Sequence, residues 1–166
     1  MPWQKKNSDS RRTFIDTLCE LAAHDEKVCL LVPDVGFNYI ETFQKKFPNR
    51  YWNLGTTEFS AFAEAAGMAL EGMKPYIYSM INFVTLRPLE QIRNAVTQHK
   101  ANVKILGVKG SEKYKFLGFS HNMIFKDEDV YHLSPYMQCY KPETNEDVCR
   151  VIQETYKNEK PCYIRL

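Results

Sequence analysis

The chain has 166 residues, of which 44% are hydrophobic and 25% charged, and a formal net charge of +2. A balance this near the globular average excludes a disordered chain, and the length suits one domain with a single packed core. The small net charge, carried by scattered basic residues with short pairs such as Arg11–Arg12 and Lys45–Lys46, makes no electrostatic case for nucleic acid.

Residues 1–10, beginning MPWQKKNSDS, read as a flexible arm without the apolar run of a signal peptide, and residues 11–166 as a single domain. In 11–24 the apolar positions Phe14, Leu18, Leu21 and Ala22 recur at helical spacing, with Ser10 as the expected N-cap. VCLLV after Lys27 reads as a buried strand that stops at Pro33-Asp34. Ile40, Phe43 and Phe47 mark a short helix ended by Pro48, and 51–54 is a further short strand. Gly55-Thr56-Thr57 leads into a helix over 58–71, rich in Ala and stopped by Gly72. PYIYSM is a strand opened by proline, 80–87 an aromatic-bearing loop, 88–99 a helix and VKILGV a strand. The stretch 109–126 is irregular. A helical turn over 127–132, a strand over 137–140, a helix over 145–156 and the strand CYIRL close the chain.

Helices alternating with short apolar strands predict an α/β fold, a three-layer sandwich whose mostly parallel sheet is covered on both faces. Ligands of such sheets gather outside the C-terminal strand ends. Asp34, 53–58, 80–87 and 109–121 all follow strands, so one edge is expected to collect them. The five cysteines are odd in number and lack a CxxC pair, which argues against a disulfide framework or a zinc site. Cys19, Cys29 and Cys162 fit apolar patterns as small core residues. A reducing cytoplasm is the expected compartment, and no apolar run approaches the ~20 residues that cross a bilayer.

Glu58 is the first residue of interest. An acid at a helix start is favoured by the helix dipole and is common as a plain first-turn residue. Its surroundings tip the balance. The run NLGTTEFSAFAEAAGMALEGMKP orders a strand end, a Gly turn, a Glu, a small-residue helix and a Gly-x-x-Pro exit. Upstream stand Asp34, Phe43, Phe47, Pro48 and Arg50; downstream stand Phe83, Arg87, Glu90, Gln91, Ile92 and Arg93, then Ser120-His121, and finally Pro161, Tyr163, Ile164 and Arg165. Taken in this order over nearly the whole chain, these pieces resemble the pyrimidine-binding domain of thiamine-diphosphate enzymes, the transketolase branch above all.

The resemblance implies the thiamine-diphosphate-binding fold of the pyrimidine type and assigns roles. Glu58 looks like the carboxyl group that hydrogen-bonds a ring nitrogen of the cofactor's aminopyrimidine and favours its imino tautomer. Burial is expected to favour a neutral or proton-sharing Glu there. Phe83 matches the aromatic that packs on the aminopyrimidine, and without the family match it reads as a core residue. Met80 and Leu86 fall where the family often has further aromatics, and Asp34 lies toward the thiazolium side. His121 matches the histidine that faces the reacting carbon. Arg11, Asn38 and Lys109 align with substrate-phosphate positions, although a basic residue near a helix start is as plain a reading of Arg11. Leu117 replaces an acid that contacts a donor-sugar hydroxyl. Leucine accepts no hydrogen bond, so a buried hydroxyl beside it would cost ~1–3 kcal/mol. A pyruvate-like donor, or a sugar bound differently, follows.

The family holds the diphosphate through a G-D-G motif and a divalent metal on a separate domain. No G-D-G occurs in this sequence, and no metal ligands are assigned to it. The resemblance therefore implies one subunit of a split enzyme. A larger partner would bring the diphosphate and Mg²⁺ site, with two copies of each chain. Three other readings stay open: half of a two-component 2-oxo acid decarboxylase, a non-catalytic regulatory subunit that kept the fold, and a plain nucleotide binder. The last lacks both GxGxxG and GxxxxGK[ST].

Overall fold

All six strands anticipated from the sequence form, and the five described pairings between them are parallel. The computed structural model describes residues 9–109, 114, 116–123, 126–132 and 136–166. The strands are β1 (Val28–Val32), β2 (Tyr51–Asn53), β3 (Lys74–Met80), β4 (Lys104–Val108), β5 (Gln138–Tyr140) and β6 (Cys162–Arg165). They lie in the order β2-β1-β3-β4-β6-β5. β1 and β4 are buried at all five positions, as expected of central strands covered on both faces.

Three helices cover one face: α1 (Ser10–His24), α2 (Glu41–Lys46) and α7 (Asn145–Asn158). Their Phe14, Leu18, Phe43, Val148 and Ile152 pack on Leu30, Tyr76, Tyr78 and Leu106 of the sheet. α3 (Glu58–Leu70), α4 (Ile81–Thr85), α5 (Leu89–Gln91) and α6 (Asp127–Tyr131) lie on the other. There Phe62, Ala65, Val84 and Tyr131 meet Leu31, Ile77, Ile105 and Tyr163. The small residues Ala61, Ala65 and Ala66 of α3 are buried, as close packing of that helix on the sheet requires. Cys19, Cys29 and Cys162 are buried free thiols, and burial pushes them up to about 11, 12 and 12 respectively, so they are inert core residues.

The structure corrects several local expectations. Asp9, not Ser10, caps α1: its side chain accepts from the Arg11 N–H at 3.1 Å. Asp9 and Ser10 therefore belong to the folded domain, and the remainder of the expected arm, residues 1–8, lies outside the described residues. The segment read as a loop after β3 contains α4, whose five residues are all buried. The helix expected over 88–99 is α5 continued by a π-type turn over Ile92–Thr97. α7 opens with a reciprocal capping box between Thr144 and Asp147 and ends at Glu159, which takes a left-handed φ of 50°.

Two long-range tethers brace the fold. Arg50 donates to the carbonyls of Ala22 (3.0 Å) and Asp25 (2.9 Å), joining the start of β2 to the end of α1. On the far side Tyr163 donates to Asp127, its ring stacks on Tyr131 at 4.0 Å, and Tyr131 donates to the Val84 carbonyl in α4. Gly107 leaves room for this stack, since a Cβ there would lie 2.5 Å from the Tyr163 hydroxyl.

Candidate active site

After β1 the chain steps outward to β2, then returns across to β3 on the opposite side. The crevice opened by that reversal is where open parallel sheets bind ligands. A cavity of about 490 Å³ sits there, at the C-terminal ends of β1, β3 and β4. Eight of the residues singled out from the sequence line it: Arg11, Asp34, Glu58, Met80, Phe83, Lys109, Leu117 and His121. Two do not. Leu86, at the C-cap of α4, is 45% exposed outside the cavity. Asn38 stands on the rim of α2 at φ 73°, where its carbonyl accepts from Arg12 and its N–H donates to Glu41 at 3.0 Å.

Glu58 is the first residue of α3 and only 3% exposed. Thr57 makes no side-chain cap bond, so the carboxylate stands at a positive helix end. Arg87 Nη1 donates to its Oε1 at 2.6 Å. The guanidinium carbon of Arg87 also lies 3.7 Å from the centroid of the Phe83 ring, while the Arg87 side chain remains 42% exposed. Phe83 is buried to 6% and meets the His121 ring edge-on at 5.0 Å. Ser120 Oγ hydrogen-bonds His121 Nδ1 at 2.9 Å, and Asn82 of α4 donates to the Ser120 carbonyl. α4 thus supplies the aromatic wall and docks the histidine loop.

Asp34 is exposed, with φ 48°, and is clasped by Asn53, whose amide donates to its Oδ1 at 3.2 Å while accepting from its N–H at 3.2 Å. Arg11 reaches the cavity, but its Nε donates to both oxygens of Asp9, at 2.8 and 2.9 Å, and it stacks over Tyr39 at 4.1 Å. The Arg11 hydrogen bonds hold the Asp9 carboxyl well below the usual carboxylate range. Lys109 stands at φ 42°, and its ammonium lies 5.5 Å from the Tyr114 ring. Around the mouth, Phe37, Phe116 and Phe119 are 62%, 79% and 78% exposed.

Sequence reasoning misses the pairing of Arg87 with Glu58 and the lining by Phe37 and Tyr78, whereas Thr56 and Tyr114 lie within the stretches expected at this edge. Arg87 stands inside a quoted motif, yet nothing local joins it to an acid 29 positions earlier. Among the described residues no helix is long and apolar enough to cross a membrane, and no cluster of three His, Cys, Asp or Glu side chains could hold a metal.

A buried carboxylate and an aromatic wall thus meet in the crevice at the C-terminal edge of a parallel sheet. Residues 6–166 match the family described as transketolase, pyrimidine binding domain, and the chain belongs to that family. It is 30% identical to a subunit of the apulose-4-phosphate transketolase of Phocaeicola vulgatus, over 94% of this chain and 50% of that protein. It is 27% identical to 6-deoxy-6-sulfo-D-fructose transketolase subunit SqwH of a Clostridium species, over 94% of this chain and 48% of that one. Among solved structures, one described as a split gene transketolase, inactive beta4 tetramer, superposes with a TM-score of 0.83 at 29% identity, covering 95% of this chain and 50% of that one. The chain spans about half the length of these relatives.

Proposed function

We propose that the chain is the pyrimidine-domain subunit of a heteromeric, thiamine-diphosphate-dependent transketolase-like enzyme. The enzyme moves a two-carbon or acyl unit from a ketose or 2-oxo acid to an aldehyde acceptor. The observation that carries the reading is Glu58: an acid 3% exposed, at a helix start, facing an apolar cavity beside Phe83. A buried carboxylate lining a cavity, with a half-exposed side chain as its partner, is the arrangement expected of a functional acid rather than of a plain first-turn residue.

The residues fit the cofactor's pyrimidine end. Phe83 offers a ring face, Met80 and Val108 apolar walls, and Glu58 one hydrogen-bonding carboxyl group. Bound there, thiamine diphosphate would supply the carbanion-stabilising ring on which carbon–carbon bond cleavage depends. Glu58 would offer a carboxyl oxygen to a ring nitrogen of the heterocycle. His121, with Nδ1 engaged by Ser120, keeps Nε2 for a substrate oxygen. Leu117 shapes the donor subsite without accepting a hydrogen bond, and Lys109 supplies a cation at the rim.

Relatives described as transketolase subunits support assigning the diphosphate and Mg²⁺ to a larger partner subunit, with two copies of each chain in the assembly. The exposed Phe37, Phe116 and Phe119 around the mouth support a covered, shared site. The relative described as an inactive tetramer supports inactivity of this chain alone. Five free thiols support a reducing cytoplasm.

Reconstitution tests the reading. The isolated chain should show no turnover, and the pair formed with a G-D-G-bearing subunit should show cofactor-dependent transfer. Turnover by the isolated chain would reject the split arrangement. A donor screen should favour pyruvate-like donors over ketose phosphates, and strong preference for a ketose phosphate would reject the role given to Leu117. Carbon dioxide release without carboligation would favour the decarboxylase reading.

A further inference from the structure

Arg87 stands where the proposed ligand should stand. It makes both contacts that the reading above assigns to the aminopyrimidine: a donated hydrogen bond to the Glu58 carboxylate at 2.6 Å, and face-on packing on Phe83 at 3.7 Å. A guanidinium is flat, delocalised and rich in N–H donors, which makes it a close physical counterpart of an aminopyrimidine. Two flat groups cannot share one face of Phe83. That ring is 6% exposed and has His121 against its edge, so it offers no second free face. The Arg87 side chain is nonetheless 42% exposed, and it starts at the break between α4 and α5, just before Pro88. It therefore has open solvent to move into.

From this we infer that Arg87 is an internal placeholder for the heterocycle, satisfying Glu58 and covering Phe83 while the site is empty, and leaving when the ligand enters. The inference rests on the thiamine-diphosphate reading. It adds a gate: an empty pocket does not leave a bare buried carboxylate, and the ligand must displace a residue of the chain itself. The cost of that displacement falls on affinity, which makes the subunit a poor binder before its partner adds diphosphate contacts.

The test is thiamine diphosphate binding to the isolated chain, measured by calorimetry or fluorescence quenching, for wild type, Arg87→Ala, Arg87→Lys and the double variant E58Q/R87A. Arg87→Ala should bind at least about tenfold tighter than wild type, which corresponds to ~1.4 kcal/mol. Arg87→Lys keeps a cation without the flat stacking surface and should gain a few-fold. The double variant should lose the gain. If Arg87→Ala does not fold, judged by its melting transition, the lysine variant carries the same comparison. Binding by Arg87→Ala no tighter than wild type, including none measurable in either, overturns the placeholder. A parallel arm separates the two levels. If Glu58→Gln abolishes turnover of the reconstituted pair while Arg87→Ala binds no tighter, only the placeholder is wrong; if Glu58→Gln turns over normally, the underlying reading is wrong.

Discussion

The two ends of the sheet each bury an ionisable side chain, and they hold it in opposite ways. At the C-terminal end, Glu58 is 3% exposed and has a half-exposed partner in Arg87. At the N-terminal end, Lys104 is 1% exposed, and its ammonium is fixed by the Lys160 carbonyl at 2.6 Å and Asn158 Oδ1 at 3.2 Å. Those acceptors belong to the end of α7 and the turn before β6, so Lys104 pins the centre of the sheet to that connection. Its neighbours Asp25, Lys74 and Tyr156 form a second closed set, with Lys74 3.0 Å from Asp25 and 4.0 Å from the Tyr156 ring. A charge whose partner can leave is suited to exchange ligands; a charge locked by fixed acceptors is suited to hold a fold.

Substitutions at the two ends should therefore separate activity from stability. The largest effect is expected at the pocket. Glu58→Gln should cut turnover of the reconstituted pair by ~10²–10⁴-fold, the range for loss of a group that handles a proton. Its melting temperature should stay near wild type, because the amide keeps the shape of the acid. A non-catalytic scaffold would tolerate the change. At the opposite end the expected effect appears in stability and depends on pH. Burial lowers Lys104 from its ordinary 10.5 to about 8, so between those values the unfolded chain holds the extra proton. Stability of wild type relative to Lys104→Met should rise as pH increases from 8 to 10.5, by up to about 3 kcal/mol. Measuring the difference in denaturant midpoints cancels the buried thiols Cys19 and Cys29, whose raised values push the other way. A flat difference would contradict the assignment.

Smaller effects follow for residues that support the ends. Gly107→Ala should cost about 1–3 kcal/mol, because its Cβ would meet the Tyr163 hydroxyl, which is held by Asp127 and by the Tyr131 stack. Thermal unfolding reads this directly, and repair by a smaller residue at 163 would confirm the contact. Thr144→Ala should cost about 1 kcal/mol through loss of the α7 capping box, with no change in ligand binding.

Much of the frame is legible because burial repeats at regular spacing. VCLLV and VKILGV read as strands from their apolar runs alone, and both become central. Glu58 is legible because a family pattern surrounds it. The failures have common physical causes. α4 reads as a loop because Ile81, Val84 and Thr85 are β-branched and lower helix propensity. Full burial of all five residues overrides that preference. Leu86 is expected in the pocket, but the turn that closes α4 carries it outward. Asp9 takes the cap from Ser10 because it also pairs with Arg11 and accepts from Tyr39 at 2.8 Å, a contact that reaches across 30 residues. Long-range partnerships of this kind, Arg87 with Glu58 foremost, leave no periodic trace in the chain.

The most direct measurement is the structure of the reconstituted pair with thiamine diphosphate bound. The account predicts a Glu58 oxygen within about 3.2 Å of a pyrimidine ring nitrogen, the limit for such a hydrogen bond, with the ring against Phe83 and Arg87 displaced. A heterocycle bound elsewhere, with Glu58 still paired to Arg87, would contradict it.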